Sequence, residues 1–177
     1  MAKYAKLEQE RKFLLHSMPA VVAASRRRIE DHYLIGTTLR LREVHTTDKA
    51  TVYKLTQKLH NLDGLWITTV YLTYNEHLLF RNLPGYRLKK DRYRVPARDD
   101  IGIDVVEFQN GERLILAELE SDDPGVMHSG LAIPEIDREV TSDPYYSGYL
   151  VAQRFDAQMP NHRVERTGGS LDPRHDS

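Results

Sequence analysis

Short runs in which apolar and polar side chains alternate recur along most of this chain. A period of two is typical of β-strands, because successive side chains of a strand point to opposite faces. The runs predict seven or eight short strands joined by turns of hairpin length, which favours an antiparallel barrel or sandwich. We place these strands at residues 7–15, within 29–45, and at 51–58, 65–72, 86–95, 101–108 and 113–120.

Turn signals separate the runs. Gly36 interrupts one of them, the sequence Asn-Leu-Asp-Gly at 61–64 ends another, and Asn-Gly at 110–111 predicts a tight hairpin. We expect residues 17–28 to form an irregular or short helical link that ends in a solvated turn of three arginines. The strands therefore follow one another through short connections.

Two helices are also predicted. Thr73 and Glu76 match a capping box, so a short helix should open there. Asp143 at an N-cap position, followed by Pro144, predicts a second helix that runs to about Gln153. The polar, unpatterned sequence from 154 to the end predicts a flexible tail.

Charged residues spaced by two recur on several of the predicted strands. On an outer face such pairs would be an ordinary solvated surface, whereas inside a closed barrel they would share a cavity that only water or ligand can fill. An eight-stranded barrel has room for one small ligand, and walls of both signs suit a phosphate polyanion together with a divalent metal. The acidic residues are Glu8, Glu10, Glu118 and Glu120, with Asp104, and the basic ones are Lys12, Arg40, Arg42, Lys58, Lys90 and Arg92.

The overall composition excludes several classes of binding partner and of chemistry. A net charge of −1 argues against bulk electrostatic binding to nucleic acid or to an anionic membrane. The absence of cysteine excludes disulfides, zinc–thiolate sites and thiol nucleophiles. No apolar run approaches the roughly 20 residues that span a bilayer. We expect one soluble, cytoplasmic domain.

The motifs resemble those of the CYTH superfamily, the triphosphate tunnel metalloenzymes. The N-terminal signature Glu-x-Glu-x-Lys corresponds to Glu8, Glu10 and Lys12. The resemblance covers about residues 6–151. It continues through Leu39-Arg40-Leu41-Arg42, Leu55-Thr56-Gln57-Lys58, Lys90-Asp91-Arg92-Tyr93, Ile103-Asp104-Val105, Leu116-Ala117-Glu118-Leu119-Glu120 and Glu139-Val140-Thr141-Ser142-Asp143.

The resemblance implies a mainly β (α+β) fold, an eight-stranded antiparallel β-barrel tunnel with a few short helices, at residues 1–153, followed by the tail at 154–177. It implies hydrolysis of a triphosphate-containing small molecule, inorganic tripolyphosphate first, by water that Mg²⁺ or Mn²⁺ activates. The implied metal ligands are Glu8, Glu10, Glu118 and Glu120. Phosphate would be bound by Lys12, Arg40, Arg42, Lys58, Lys90 and Arg92. The implied catalytic residues are Glu8, Glu10, Asp104 and Lys90.

Other functions remain open. A thiamine triphosphatase, a class IV adenylyl cyclase and a non-catalytic module that binds polyphosphate or nucleotides all fit the same motifs. The chain also departs from the family, because the strand at 65–72 has no acidic residue and the closing helix lacks basic residues after Asp143. We expect no nucleic-acid or membrane partner, and a monomer or a homodimer.

Overall fold

The structure is a computed structural model that describes residues 4–20, 26–62, 64–96, 98–128 and 130–159. The strands are β1 (Lys6–Glu8), β2 (Glu10–Leu15), β3 (Arg26–Leu34), β4 (Leu39–Thr46), β5 (Val52–Asn61), β6 (Gly64–Leu72), β7 (Gly85–Val95), β8 (Arg98–Glu107), β9 (Arg113–Glu120) and β10 (Ile136–Glu139). The helices are α1 (Tyr74–Arg81), α2 (Pro124–His128), a 3₁₀ helix (Pro144–Tyr146) and α3 (Gly148–Ala157).

One antiparallel sheet contains all of these strands, in the order β1-β6-β5-β4-β3-β7-β8-β9-β2-β10. The hydrogen-bonded order is open, yet only Gln9 separates β1 from β2 along the chain. The N-terminal segment thus pairs with β6 through its first half and with β9 through its second half. It brings two distant strands of the sheet together, and the sheet curls into a barrel-like tunnel.

The predicted mainly β, antiparallel architecture is confirmed, with differences in detail. The sheet has ten strands instead of eight, because the first predicted strand is divided at Gln9 and because β10 was not foreseen. The expected turn at the three arginines is wrong: they begin β3, which is hydrogen-bonded to β4 on one side and to β7 on the other. Residues 21–25 of the expected link lie outside the described residues.

Both predicted helices are present, but the bounds of the second one differ from the prediction. The capping box of α1 forms as predicted, with Thr73 accepting from the Glu76 backbone and the Glu76 carboxylate accepting from the Thr73 backbone. The second helix is broken, because Ser147 is extended and caps a new helix after the 3₁₀ turn. That helix, α3, continues past Gln153 to Ala157. Residues 160–177 of the expected flexible tail lie outside the described residues.

Two apolar clusters form the core, and both leave the middle of the tunnel free. One covers the outward faces of β2, β8 and β9 and consists of Phe13, Leu15, Ile101, Ile103, Val105, Ile115, Ala117, Leu119 and Ile133. The other packs α3 against inward residues of β7–β9 and includes Leu88, Val106, Leu116, Val151, Ala152 and Phe155. The helix therefore fills one end of the tunnel. Among the described residues no helix is long and apolar enough to cross a membrane.

The start of α3 is fitted closely to β3. The Tyr149 ring packs edge-on against the Tyr33 ring, with centroids 6.1 Å apart. A Cβ atom at position 148 would overlap the Tyr33 hydroxyl, so only glycine allows this approach. The helix therefore seats against β3 through Gly148 and Tyr149.

We predict that Gly148→Ala lowers the free energy of unfolding by about 1–3 kcal/mol, because the added methyl group overpacks the contact with Tyr33. Urea titration followed by circular dichroism measures the change. Gly130→Ala is the matched control, since nothing lies within 4 Å of its added Cβ. Equal stability of the two variants would contradict the close approach described here.

Candidate active site

The tunnel contains a partly open cavity of about 750 Å³. Its walls carry charged side chains from the inward faces of β1, β2, β4, β5, β7 and β9. The sequence analysis selected most of them, and the structure brings these together around one space: Glu8, Glu10, Lys12, Arg40, Arg42, Lys58, Lys90, Arg92, Glu118 and Glu120. These side chains therefore point into the cavity, as expected for the inside of a tunnel.

Strand register places charges opposite each other across neighbouring strands. Lys12 on β2 lies opposite Glu118 on β9, and Glu10 lies opposite Glu120. The first pair attracts, whereas two carboxylates directly opposite repel. The acidic side of the cavity therefore contains more negative charge than its own strands neutralise.

Ion pairs along the cavity wall hold most of the acidic side chains. Lys58 Nζ lies 2.6 Å from Glu8 Oε2, and this contact joins β5 to β1, the two strands that flank β6. Lys12 Nζ lies 3.0 Å from Glu10 Oε1 and 3.8 Å from Glu118 Oε1. The two lysines therefore act as counter-ions for the glutamates in the absence of ligand.

Asp104 lies behind the cavity wall. Its carboxylate accepts hydrogen bonds from Arg92 at 2.5 and 2.6 Å and also pairs with Lys90. Only 2% of the residue is exposed, and it does not line the cavity, in contrast to Lys90 and Arg92. The catalytic role that the family resemblance implies for Asp104 stays a prediction. Its position suits a counter-ion that holds these two cations.

Neighbouring glutamates have opposite electrostatic environments. Burial, reinforced by Glu118, raises the pKa of Glu10 above its ordinary value. Burial would raise the pKa of Glu118 as well, but Lys90, Arg92 and Lys12 overcome that effect and lower it well below its ordinary value. Glu118 is thus fully neutralised by its surroundings, and Glu10 is not.

Sequence reasoning missed two inward residues of β3. Asp31 is fully buried and accepts two hydrogen bonds from Arg42. Tyr33 lines the cavity, and burial together with Asp31 raises the pKa of its phenol to about 12. Both follow Ile29 at intervals of two, so the alternation was visible in the sequence. A single acid without a second one two positions away gave no reason to select Asp31.

Uncharged side chains of β6 lie beside the Lys58–Glu8 pair. Leu65 and Ile67 on β6 line the cavity, where the family pattern had led us to look for an acidic residue. Leu39 and His60 extend this wall, and register places His60 directly opposite Leu65. Part of the cavity lining is therefore apolar.

The acidic residues fit a hard divalent cation by donor type, because Mg²⁺ and Mn²⁺ take carboxylate oxygens. The raised pKa of Glu10, caused by burial and by Glu118, indicates negative charge that a cation would relieve. In the part of the chain that the structure describes, however, no three acidic or histidine side chains are grouped closely enough to hold a metal ion. The ion pairs of Glu8 and Glu10 would have to open first.

Solved structures share this fold. The inorganic triphosphatase NE1496 is 21% identical over 83% of this chain and 95% of its own, with a TM-score of 0.51. A second structure, of the hypothetical protein NE1496, is also 21% identical, over 82% of this chain and 97% of its own, with a TM-score of 0.50. No family model and no curated protein matches the sequence. The chain therefore has the same fold as these two structures.

We predict that two neutralising substitutions change stability in opposite directions at pH 7 in metal-free buffer. Glu118→Gln should lower the free energy of unfolding by about 3 kcal/mol, since it leaves Arg92 without one of its buried partners. Glu10→Gln should raise it, because a carboxylate with insufficient counter-charge is removed. Chemical denaturation measures both variants, and a loss of stability in Glu10→Gln would contradict the assigned environment.

Proposed function

We propose that this protein is a metal-dependent hydrolase of triphosphate-containing substrates, with inorganic tripolyphosphate as the first candidate. The observation that carries the proposal is one cavity whose basic and acidic side chains lie on neighbouring strands. The fold, shared with an inorganic triphosphatase, is consistent with it. A polyanion and a cation can both be bound in such a space, which a cavity of one sign would not allow.

The phosphate groups would be bound by the basic side chains that line the cavity. Arginine offers a planar fork of donors to phosphate oxygens, and lysine a compact point charge. The residues in this role are Lys12, Arg40, Arg42, Lys58, Lys90 and Arg92. Lys12 and Lys58 would exchange their glutamate partners for phosphate oxygens when substrate enters.

The acidic side chains would hold Mg²⁺ or Mn²⁺. When bound, the cation would neutralise charge on the phosphates and make a water molecule more acidic. Release of Glu8 and Glu10 from Lys58 and Lys12 would free carboxylate oxygens at the same moment as substrate takes up the lysines. The other two acidic residues in this role are Glu118 and Glu120.

A second candidate substrate is an organic triphosphate ester. Leu39, Leu65 and Ile67 form an apolar wall beside the charged one, and His60 adds a ring that an aromatic group could contact. Thiamine triphosphate or ATP would place its organic part there, as in a thiamine triphosphatase or a class IV adenylyl cyclase. A non-catalytic module that binds polyphosphate or nucleotides is the alternative without turnover.

The first test measures phosphate release from tripolyphosphate, thiamine triphosphate and ATP, with Mg²⁺, with Mn²⁺ and with chelator. We expect tripolyphosphate to be hydrolysed fastest and chelator to abolish release, because the cation offsets the charge that develops on the phosphates. Faster release from either ester would move the assignment to that ester. No release from any substrate, with binding retained, would identify a binding module.

We predict that Arg40→Ala weakens tripolyphosphate binding by about 10- to 100-fold, since each charge-assisted contact to phosphate contributes roughly 1.5–3 kcal/mol. Isothermal titration calorimetry measures the dissociation constant. Arg28→Ala is the matched control, because Arg28 is half exposed and does not line the cavity. Equal loss of affinity in both variants would mean that general charge, and not the tunnel wall, attracts the ligand.

A further inference from the structure

A single carboxylate lies directly behind the arginines of the cavity wall. Asp31 on β3 is opposite Arg42 on β4 in the register of the sheet, and its side chain has no solvent exposure. Arg40 and Arg42 line the cavity, but Asp31 does not. Asp31 therefore does not touch a ligand in the cavity, and its hydrogen bonds can affect that ligand only through these arginines.

The contact fixes the plane of one guanidinium. Arg42 donates from Nε to Asp31 Oδ1 at 2.6 Å and from Nη2 to Oδ2 at 2.8 Å. A guanidinium has five N–H donors in a rigid fork, so three remain for other partners. Because the Nε side faces Asp31, the free donors are on the other edge of the group.

The same carboxylate also reaches Arg40. The Nε atom of Arg40 lies 3.7 Å from Asp31 Oδ1 and is buried, without a hydrogen-bond partner among the described residues. Arg42 further has Lys54 as its cross-strand neighbour on β5, and like charges placed opposite each other repel. Asp31 is therefore the carboxylate that offsets this repulsion and lies close to both arginines.

We propose that Asp31 is a positioning residue that orients Arg42, and with it Arg40, toward the phosphate groups of the substrate. This inference rests on the proposed function. Asp104 has the matching arrangement on the far side of β3, where it accepts from Arg92 and pairs with Lys90. The basic wall thus has a buried carboxylate behind each of its two pairs of cations.

Asp31 has two opposite effects on the substrate, one through its charge and one through its hydrogen bonds. The negative charge of Asp31 reduces the attraction of the cavity for a polyanion, so its removal alone should tighten binding, most clearly at low salt. Its hydrogen bonds hold donors where the reaction needs them, and a misplaced group costs rate more than affinity. A residue that only stabilises the fold would not separate the two effects.

The kinetic test compares Asp31→Asn with Glu30→Gln. Glu30 is the neighbouring acid on the opposite face of β3, where it forms a loose contact of 3.5 Å with the exposed Lys89. We expect Asp31→Asn to lower kcat for tripolyphosphate by about tenfold or more, with an unchanged or lower KM, and Glu30→Gln to match the parent. An unchanged kcat in Asp31→Asn would overturn the inference.

Arg42→Lys is a second variant in case Asp31→Asn does not fold. It keeps the charge but removes the fork, so kcat should fall to a similar extent, and the double variant should lose no more than either single one. Full activity of Arg42→Lys, or additive losses in the double variant, would overturn the inference.

A measurement without substrate separates this inference from the proposed function. In a ¹⁵N spectrum of arginine side chains, the Nε–H of Arg42 should give a resolved signal that exchanges slowly with solvent in the parent and in Glu30→Gln. Asp31→Asn should lose that signal. Its retention would show that Asp31 does not fix Arg42, whether or not the protein hydrolyses triphosphate. Loss of the signal in a protein without triphosphatase activity would overturn the proposed function alone.

Discussion

Charges of both signs that share the inside of one sheet must be balanced within it. Each ion removed from water costs several kcal/mol unless partners and hydrogen bonds compensate. In this tunnel the compensation is built in two layers, with lysine–glutamate pairs along the cavity wall and buried carboxylates behind the arginines. In the proposed function the first layer would exchange partners with a ligand, while the second would stay in place.

The same constraint decides where the apolar core lies. A cavity lined by charges cannot bury apolar surface. Apolar side chains are buried instead on the outward faces of β2, β8 and β9 and at the end of the tunnel that α3 fills. Leu88 on β7 and Leu116 on β9 point inward, two residues before Lys90 and Glu118. Each strand face thus changes from apolar to charged along its length, and the cavity ends where the helix begins.

The sequence predicted the parts of the site that repeat, and it missed those that depend on register. Glu8 and Arg40 were found because a like charge lies two positions away on the same strand. Asp31 has no such neighbour, and its importance arises from its place opposite Arg42. The depth of Asp104 likewise follows from the pairing of β7 with β8, which no local pattern contains.

The prediction of the fold succeeded and failed for the same reason as the prediction of the site: repeating local patterns were recognised, and features set by packing were not. Alternation identified the strands that have one buried face, whereas β10 is a short edge strand with three charged residues in four. The break before α3 depends on Ser147 acting as a cap, and the sequence offered Asp143 as an equally good start. Two local signals of equal strength cannot decide where the helix starts. The packing of Gly148 and Tyr149 against Tyr33 favours the start at Ser147.

The division of the N-terminal strand at Gln9 also bears on how the molecule assembles. Its halves are hydrogen-bonded to β6 and to β9, so neither contact is local in the chain, and strands with distant partners tend to join a sheet late. Glu8, Glu10 and Lys12 all arrive on this segment. Until it docks, β9 has an unpaired edge, and the acidic side of the cavity contains only Glu118 and Glu120. Docking of this segment therefore completes both the sheet and the acidic side of the cavity.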